Sequence, residues 1–161
     1  MKKLIDMKHF FFNSNINIYQ KEAKWERKDI NTIRKVLKIS NVIKNGLTIK
    51  LSNDKDLKFY NYKWKGINKP TNILSFTYCD KKFPFQNNVI YLGDIIISYE
   101  TIAKEIKYKK INFQEHLSHI LIHGILHLKG FTHNHVKDTK IMQNEEKRLL
   151  KNLKIKNPYN I

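Results

Sequence analysis

Cysteine is almost missing from this chain. Cys79 stands alone in 161 residues, which excludes an intrachain disulfide and any zinc site built from several thiolates. A reducing, intracellular setting fits that usage. Long apolar runs are missing as well. A membrane span needs about 18 consecutive apolar residues; the longest uncharged stretches, residues 9–20 and 117–128, carry histidines or asparagines and fall well short. Met1, Lys2 and Lys3 followed by Phe10, Phe11 and Phe12 faintly imitate a secretory signal. Asp6 and Lys8 interrupt its apolar core, however, and no small-residue cleavage site follows. The expectation is a cytoplasmic protein without a membrane partner.

Arginine is scarce, at Arg27, Arg34 and Arg148 only, and acids are few: 14 Asp and Glu against 31 Lys and Arg. The formal net charge is +17 and the isoelectric point about 9.9. Such a field attracts polyanions, with RNA, DNA and anionic membrane as the usual partners. Abundant lysine, isoleucine and asparagine also follow from an AT-rich genome, so part of the charge reflects composition, with nucleic acid still the favoured partner. Repeats, low-complexity tracts and linkers are absent too. One domain over residues 1–161 is expected, long enough to bury a core without disulfides.

The pattern of elements is mixed. Residues 4–12 read as a first strand, and apolar positions recur near helical spacing over residues 18–39, at Ala23, Trp25, Ile30, Ile33, Val36 and Leu37. After a turn at Asn45 and Gly46, residues 47–51 alternate as a half-buried strand. Ser52 or Asn53 caps a helix over residues 54–64, ended by Gly66. Residues 72–78 form a short strand, residues 81–88 a polar loop with Pro84, and residues 89–98 the strongest strand. Helices follow from Ser98 or Tyr99 to Tyr108, from near Asn112 through Leu128, and over residues 136–153. The middle one is apolar around most of its circumference, as a helix at the centre of a domain is. This order predicts an α+β fold: a mixed four-stranded sheet covered by helices, with a central helix carrying the histidines.

Residues 123–133, H-G-I-L-H-L-K-G-F-T-H, make the narrowest chemical claim. His123 and His127 are one helical turn apart and point the same way, with Cβ atoms about 5–6 Å apart. Gly130 can turn the chain in the left-handed conformation, letting His133 fold back over the helix end. Three imidazoles suit a zinc ion and leave a fourth tetrahedral position for water, the arrangement of catalytic rather than structural sites. Gly124 occupies the position where H-E-x-x-H proteases carry their glutamate base, so a protease mechanism loses that base. His116 and His119 precede on the same broad face; they extend a polar channel or sit in the core with satisfied ring nitrogens, the second being preferred. His135 lies beyond the turn and reads as exposed.

This stretch closely resembles the signature H-G-x-L-H-L-x-G-[YF]-D-H of the YbeY family of bacterial endoribonucleases. Lys69-Pro70-Thr71-Asn72-Ile73-Leu74-Ser75-Phe76 is similar to the family's K-P-T-[DN]-V-L-S-F segment, and Leu92-Gly93-Asp94-Ile95-Ile96-Ile97-Ser98 to its L-G-D-I-x-I-S strand. Glu146 falls in the expected place in the last helix. The resemblance implies a zinc-dependent, single-strand-directed endoribonuclease holding one ion per chain on His123, His127 and His133. It implies action on rRNA, including 3′-end maturation of the small-subunit rRNA, and in ribosome quality control. Implied partners are single-stranded rRNA, the small ribosomal subunit and its proteins, and a ribosome-associated GTPase. Two positions depart from the family. Thr132 stands where it has aspartate, and Lys65 where it has an arginine thought to contact substrate phosphate; lysine keeps the charge and loses the bidentate fork.

On this reading zinc lowers the pKa of bound water to about 7 and polarises a phosphoryl oxygen; water or the 2′-hydroxyl is the nucleophile. Lys65 neutralises the phosphate, while Lys63 and Lys69 track the flanking backbone or are solvated loop charges. Asp94 interrupts an apolar strand and, if buried, needs a partner. Thr71 and Ser75 are structural or line the cleft. Two other readings stay open: a non-catalytic basic ribosome-assembly factor that binds rRNA, and a zinc hydrolase of another substrate.

Overall fold

The computed structural model describes residues 7–78 and 89–159. Cys79, the first residues of the expected opening strand and the polar loop expected over residues 81–88 lie outside them. The elements run β1 (Lys8–Phe11), β2 (Ile16–Gln20), α1 (Arg27–Ile39), β3 (Gly46–Ser52), α2 (Asp54–Lys65), β4 (Ile73–Thr77), β5 (Tyr91–Ser98), α3 (Tyr99–Lys109), α4 (Phe113–Leu128) and α5 (Val136–Asn152). The fold is α+β, with one mixed sheet in the order β1-β2-β3-β5-β4. β2, β3 and β5 are mutually parallel, and β1 and β4 are antiparallel edges.

The sheet has five strands, not the four expected: β2 occupies residues where helical spacing over 18–39 is expected to begin. Ile16, Ile18 and Gln20 are buried and alternate with half-buried Asn17 and Tyr19, a period of two. The helical pattern starts only at Arg27. Asn13 makes the reversal between β1 and β2, its Oδ1 accepting from the backbone N–H groups of Asn15 and Ile16 at 2.9 Å each. Between β2 and α1, buried Trp25 pins the chain to β3 by donating its indole N–H to the Ser52 carbonyl at 3.2 Å.

The core follows from register. Ile18, Ile49 and Ile95 lie side by side across the three parallel strands, and Ile16 with Leu47 and Leu51 with Ile97 repeat the contact one layer away. All are fully buried, together with Ile33, Val36 and Leu37 of α1 and Leu117, Leu121 and Ile125 of α4. Burying one such side chain stabilises by about 1.5–3 kcal/mol. α4 packs on β4 and β5 and touches α1, α3 and α5, the central place that its apolar girth predicts. Gly124 allows the close approach: a Cβ there would stand 2.7 Å from Ile73 Cδ1 and 2.8 Å from Ser75 Oγ on β4. The opposite face of the sheet is only partly covered. There Leu57 of α2 packs on Leu74 and Ile96, while Asp56 ties the helix to Lys21 at 2.7 Å and Lys50 at 3.1 Å.

Candidate metal centre

α4 carries His116, His119, His123 and His127 along one stripe; His116 is buried, the other three are half-buried, and most of the remaining surface from Leu117 onward is in the core. The helix ends in a Schellman motif: Phe131 N–H donates to the Leu126 carbonyl and Gly130 N–H to that of His127, each at 3.0 Å. Gly130 sits at φ 94°, which a side chain would strain. That turn carries His133 back over the helix end. The ring centroid of His133 then lies 5.6 Å from that of His123 and 4.9 Å from that of His127. One donor atom from each of the three histidines lies within 4.8 Å of the others.

Two rings are fixed from behind. Nδ1 of His123 meets Oε1 of Glu146 at 2.6 Å, and Nδ1–H of His127 donates to the Phe131 carbonyl at 3.0 Å. These bonds place both protons on Nδ1 and turn both Nε2 atoms inward, 3.0 Å apart. Two neutral imidazoles would face each other there lone pair to lone pair, which a shared cation relieves. Burial, then the neighbouring His123, lowers the pKa of His127 and favours its neutral, ligating form. The donor set therefore fits one divalent ion.

Glu146 of α5 is the hidden member. It is only 1% exposed. Burial alone would raise its pKa, but the hydrogen bonds with His123 and Tyr159 and the nearby His119 imidazole, 3.7 Å away, prevail and hold it at about 2. A carboxylate behind a ligating imidazole fixes ring orientation and raises ligand basicity. The Tyr159 hydroxyl donates to Oε2 of Glu146 and also lies 3.3 Å from Nε2 of His119. Burial, followed by this carboxylate, raises the pKa of the phenol.

The histidines line a cleft of about 760 Å³. Lys65, at the end of α2, reaches its lip, and Lys109 of α3 is a second lining cation that the sequence did not single out. Lys63 and Lys69 do not line it. Lys63 instead lies 5.5 Å from the ring centroid of Trp64, and the Lys69 carbonyl accepts from Asn61. Thr71, Ser75 and Thr132 line the cleft. His116 is buried with Nε2 2.5 Å from Oε2 of Glu105, a satisfied core histidine, whereas His119 belongs to the Glu146 cluster. His135 is exposed at the start of α5. Asp94 is exposed on the other side of the sheet, where it accepts from the Tyr91 hydroxyl at 2.5 Å. Sequence order gave no sign of Tyr159 or His119 as partners of Glu146, since only the packing of α5 on α4 brings them together.

A family model described as Endoribonuclease YbeY matches residues 12–154. Among similar curated proteins, each named Endoribonuclease YbeY, that of Bartonella henselae is 37% identical over 82% of this chain and 82% of its own length. That of Pelagibacter ubique is 39% identical over 96% of this chain and 90% of its own. That of Ehrlichia chaffeensis is 36% identical over 94% of both. The fold also matches the solution structure of TM1509 from Thermotoga maritima, with a TM-score of 0.61 at 21% identity, covering 91% of this chain and 99% of the other. With matches spanning nearly its whole length, this chain belongs to the Endoribonuclease YbeY family.

Proposed function

We propose that the chain works as one domain over residues 1–161 and is a zinc-dependent endoribonuclease that cuts single-stranded rRNA. Small-subunit 3′-end maturation and ribosome quality control are its settings. The observation that carries this reading is the convergence of His123, His127 and His133 at a cleft whose lip holds Lys65 and Lys109. Family membership supports RNA as the substrate, and the net charge of +17 suits it.

His123, His127 and His133 would hold the ion. When bound, a divalent ion supplies Lewis-acid polarisation of a phosphoryl oxygen and a lowered pKa for water. The chain's own groups do the rest. Glu146 and the Phe131 carbonyl hold the two helical imidazoles in the tautomer that faces the cleft. Lys65 and Lys109 bring positive charge to a phosphodiester placed between them. Thr132 in place of a carboxylate removes a negative neighbour from the centre, and Lys65 binds phosphate as a point charge rather than a fork.

The test is cleavage of single-stranded RNA by zinc-loaded protein, with metal content measured alongside. About one zinc per chain is expected, and His127→Ala or a chelator should abolish both metal and cleavage. Cleavage surviving both would sink the metal site. No cleavage, with salt-sensitive rRNA binding retained, would leave a non-catalytic assembly factor. A 2′-deoxy substitution at the cut position separates the two nucleophiles: continued cutting assigns water, and arrest assigns the 2′-hydroxyl.

A further inference from the structure

A second cavity of about 760 Å³ lies against the other face of the sheet. Its walls are aromatic and apolar, from Tyr19, Tyr60, Trp64 and Phe76, with Lys50 and Asp94 among them. The rings form a connected set: Trp64 and Phe76 are 5.9 Å apart between centroids, and Tyr60 and Phe76 6.4 Å. Trp64 is 63% exposed, and its neighbours Tyr62 and Phe59 on α2 are nearly as open. Of these open aromatics only Trp64 lines the cavity, and an exposed indole continuous with a wall of further rings marks a ligand surface.

Two observations identify that ligand. Cations accompany the rings: Lys63 stands 5.5 Å from the Trp64 centroid, and Lys50 leans over Tyr60 at 5.6 Å while pairing with Asp56. The two cavities also meet. Ser75 and Thr77 of β4 line both, and β4 is the edge strand, paired only with β5 among the described residues. At the end of α2, Lys65 belongs to the histidine cleft and the adjacent Trp64 to the aromatic cavity. Planar apolar walls beside cations suit bases and phosphates together, as in sequence-tolerant single-strand binding.

We infer that the aromatic cavity is a stacking site for bases of the single-stranded RNA flanking the scissile phosphate, which crosses the edge of β4 from the histidine cleft. Trp64 is its platform, and Asp94, paired with Phe76 across β4 and β5, offers an acceptor to an exocyclic amino group. This rests on the endoribonuclease reading and adds to it a length requirement: RNA must extend beyond the cleft to be held well.

Intrinsic fluorescence tests it, because the other indole, Trp25, is only 3% exposed. Uncleavable 2′-O-methyl oligouridylates are titrated into zinc-loaded protein, one long enough to span both cavities and one of three nucleotides. The long oligomer should quench Trp64 emission and the short one should not. Trp64→Ala should lower the affinity ratio of long to short about tenfold, the scale of one lost stacking contact, and Trp64→Phe should restore most of it. Equal loss at both lengths, or tight binding of the long oligomer without quenching, overturns the stacking site and leaves the endoribonuclease reading standing. Wild-type protein that neither binds nor cuts single-stranded RNA overturns both. A Trp64→Ala change in self-association with RNA affinity unmoved also overturns it, assigning the patch to a protein contact.

Discussion

Glu146 decides how firmly the histidine cluster is held. It is buried, ionised and joined to His123, His119 and Tyr159, so it supplies the negative charge nearest the three imidazoles. Glu146→Gln keeps the size and an oxygen for His123 Nδ1–H but removes the charge. It should weaken zinc affinity about 10–100-fold, the usual cost of losing an outer partner, in a competition titration against a chelating dye; unchanged affinity would refute the role. His123, His127 and His133 were legible in the sequence because helical spacing and a glycine turn are local rules. The partners of Glu146 were not. Tyr159 and His119 reach it through tertiary packing, and no spacing rule connects a tail tyrosine to a helix forty positions earlier.

Among the elements, α4 and β5 were legible because each carries a long, unmixed pattern. β2 was not: its period-two signal lasts five residues, includes the polar Gln20, and merges into the spacing that precedes α1. What makes it a strand is the parallel partner β3, whose pairing begins with Ile16 against Leu47. Two glycines show how tightly neighbouring elements meet, and they should respond differently to alanine. At Gly93, φ is 144° and a Cβ would stand 2.0 Å from the Phe76 carbonyl oxygen, where β4 and β5 pair. A backbone atom cannot yield, so Gly93→Ala should cost more than about 4 kcal/mol or prevent folding. At Gly124 the obstacles are the ends of the Ile73 and Ser75 side chains, which can turn aside, so Gly124→Ala should cost about 1–3 kcal/mol. Urea midpoints of the two variants check the order; a Gly93→Ala protein as stable as wild type would refute it.

At the scale of the whole molecule, charge and shape divide the work. No helix among the described residues is long and apolar enough to cross a membrane; the chain carries 31 basic against 14 acidic residues, and Lys65 and Lys109 line the histidine cleft, which meets the aromatic cavity at one sheet edge. Affinity for single-stranded RNA should therefore fall linearly with the logarithm of salt concentration. Lys65→Ala and Lys109→Ala should each reduce that slope by about 0.7, the share of one phosphate contact on a single strand. Filter binding across a salt series measures this, and a slope that neither change alters would place the phosphates elsewhere. The composition foretold the sign of this field and the resemblance pointed to Lys65, but only the fold brings Lys109 to the cleft and leaves Lys63 and Lys69 out of it.

His123, His127 and His133 all come from one helix end and the turn after it. Loop-closure entropy rises with the separation of the groups brought together, so a donor set this compact costs little to assemble. Grip and tuning are thereby separable in inheritance. If these histidines hold the proposed ion, drift at Thr132, Lys65 or the tail that carries Tyr159 would tune the centre by degrees, while the three donors stay close together in the chain.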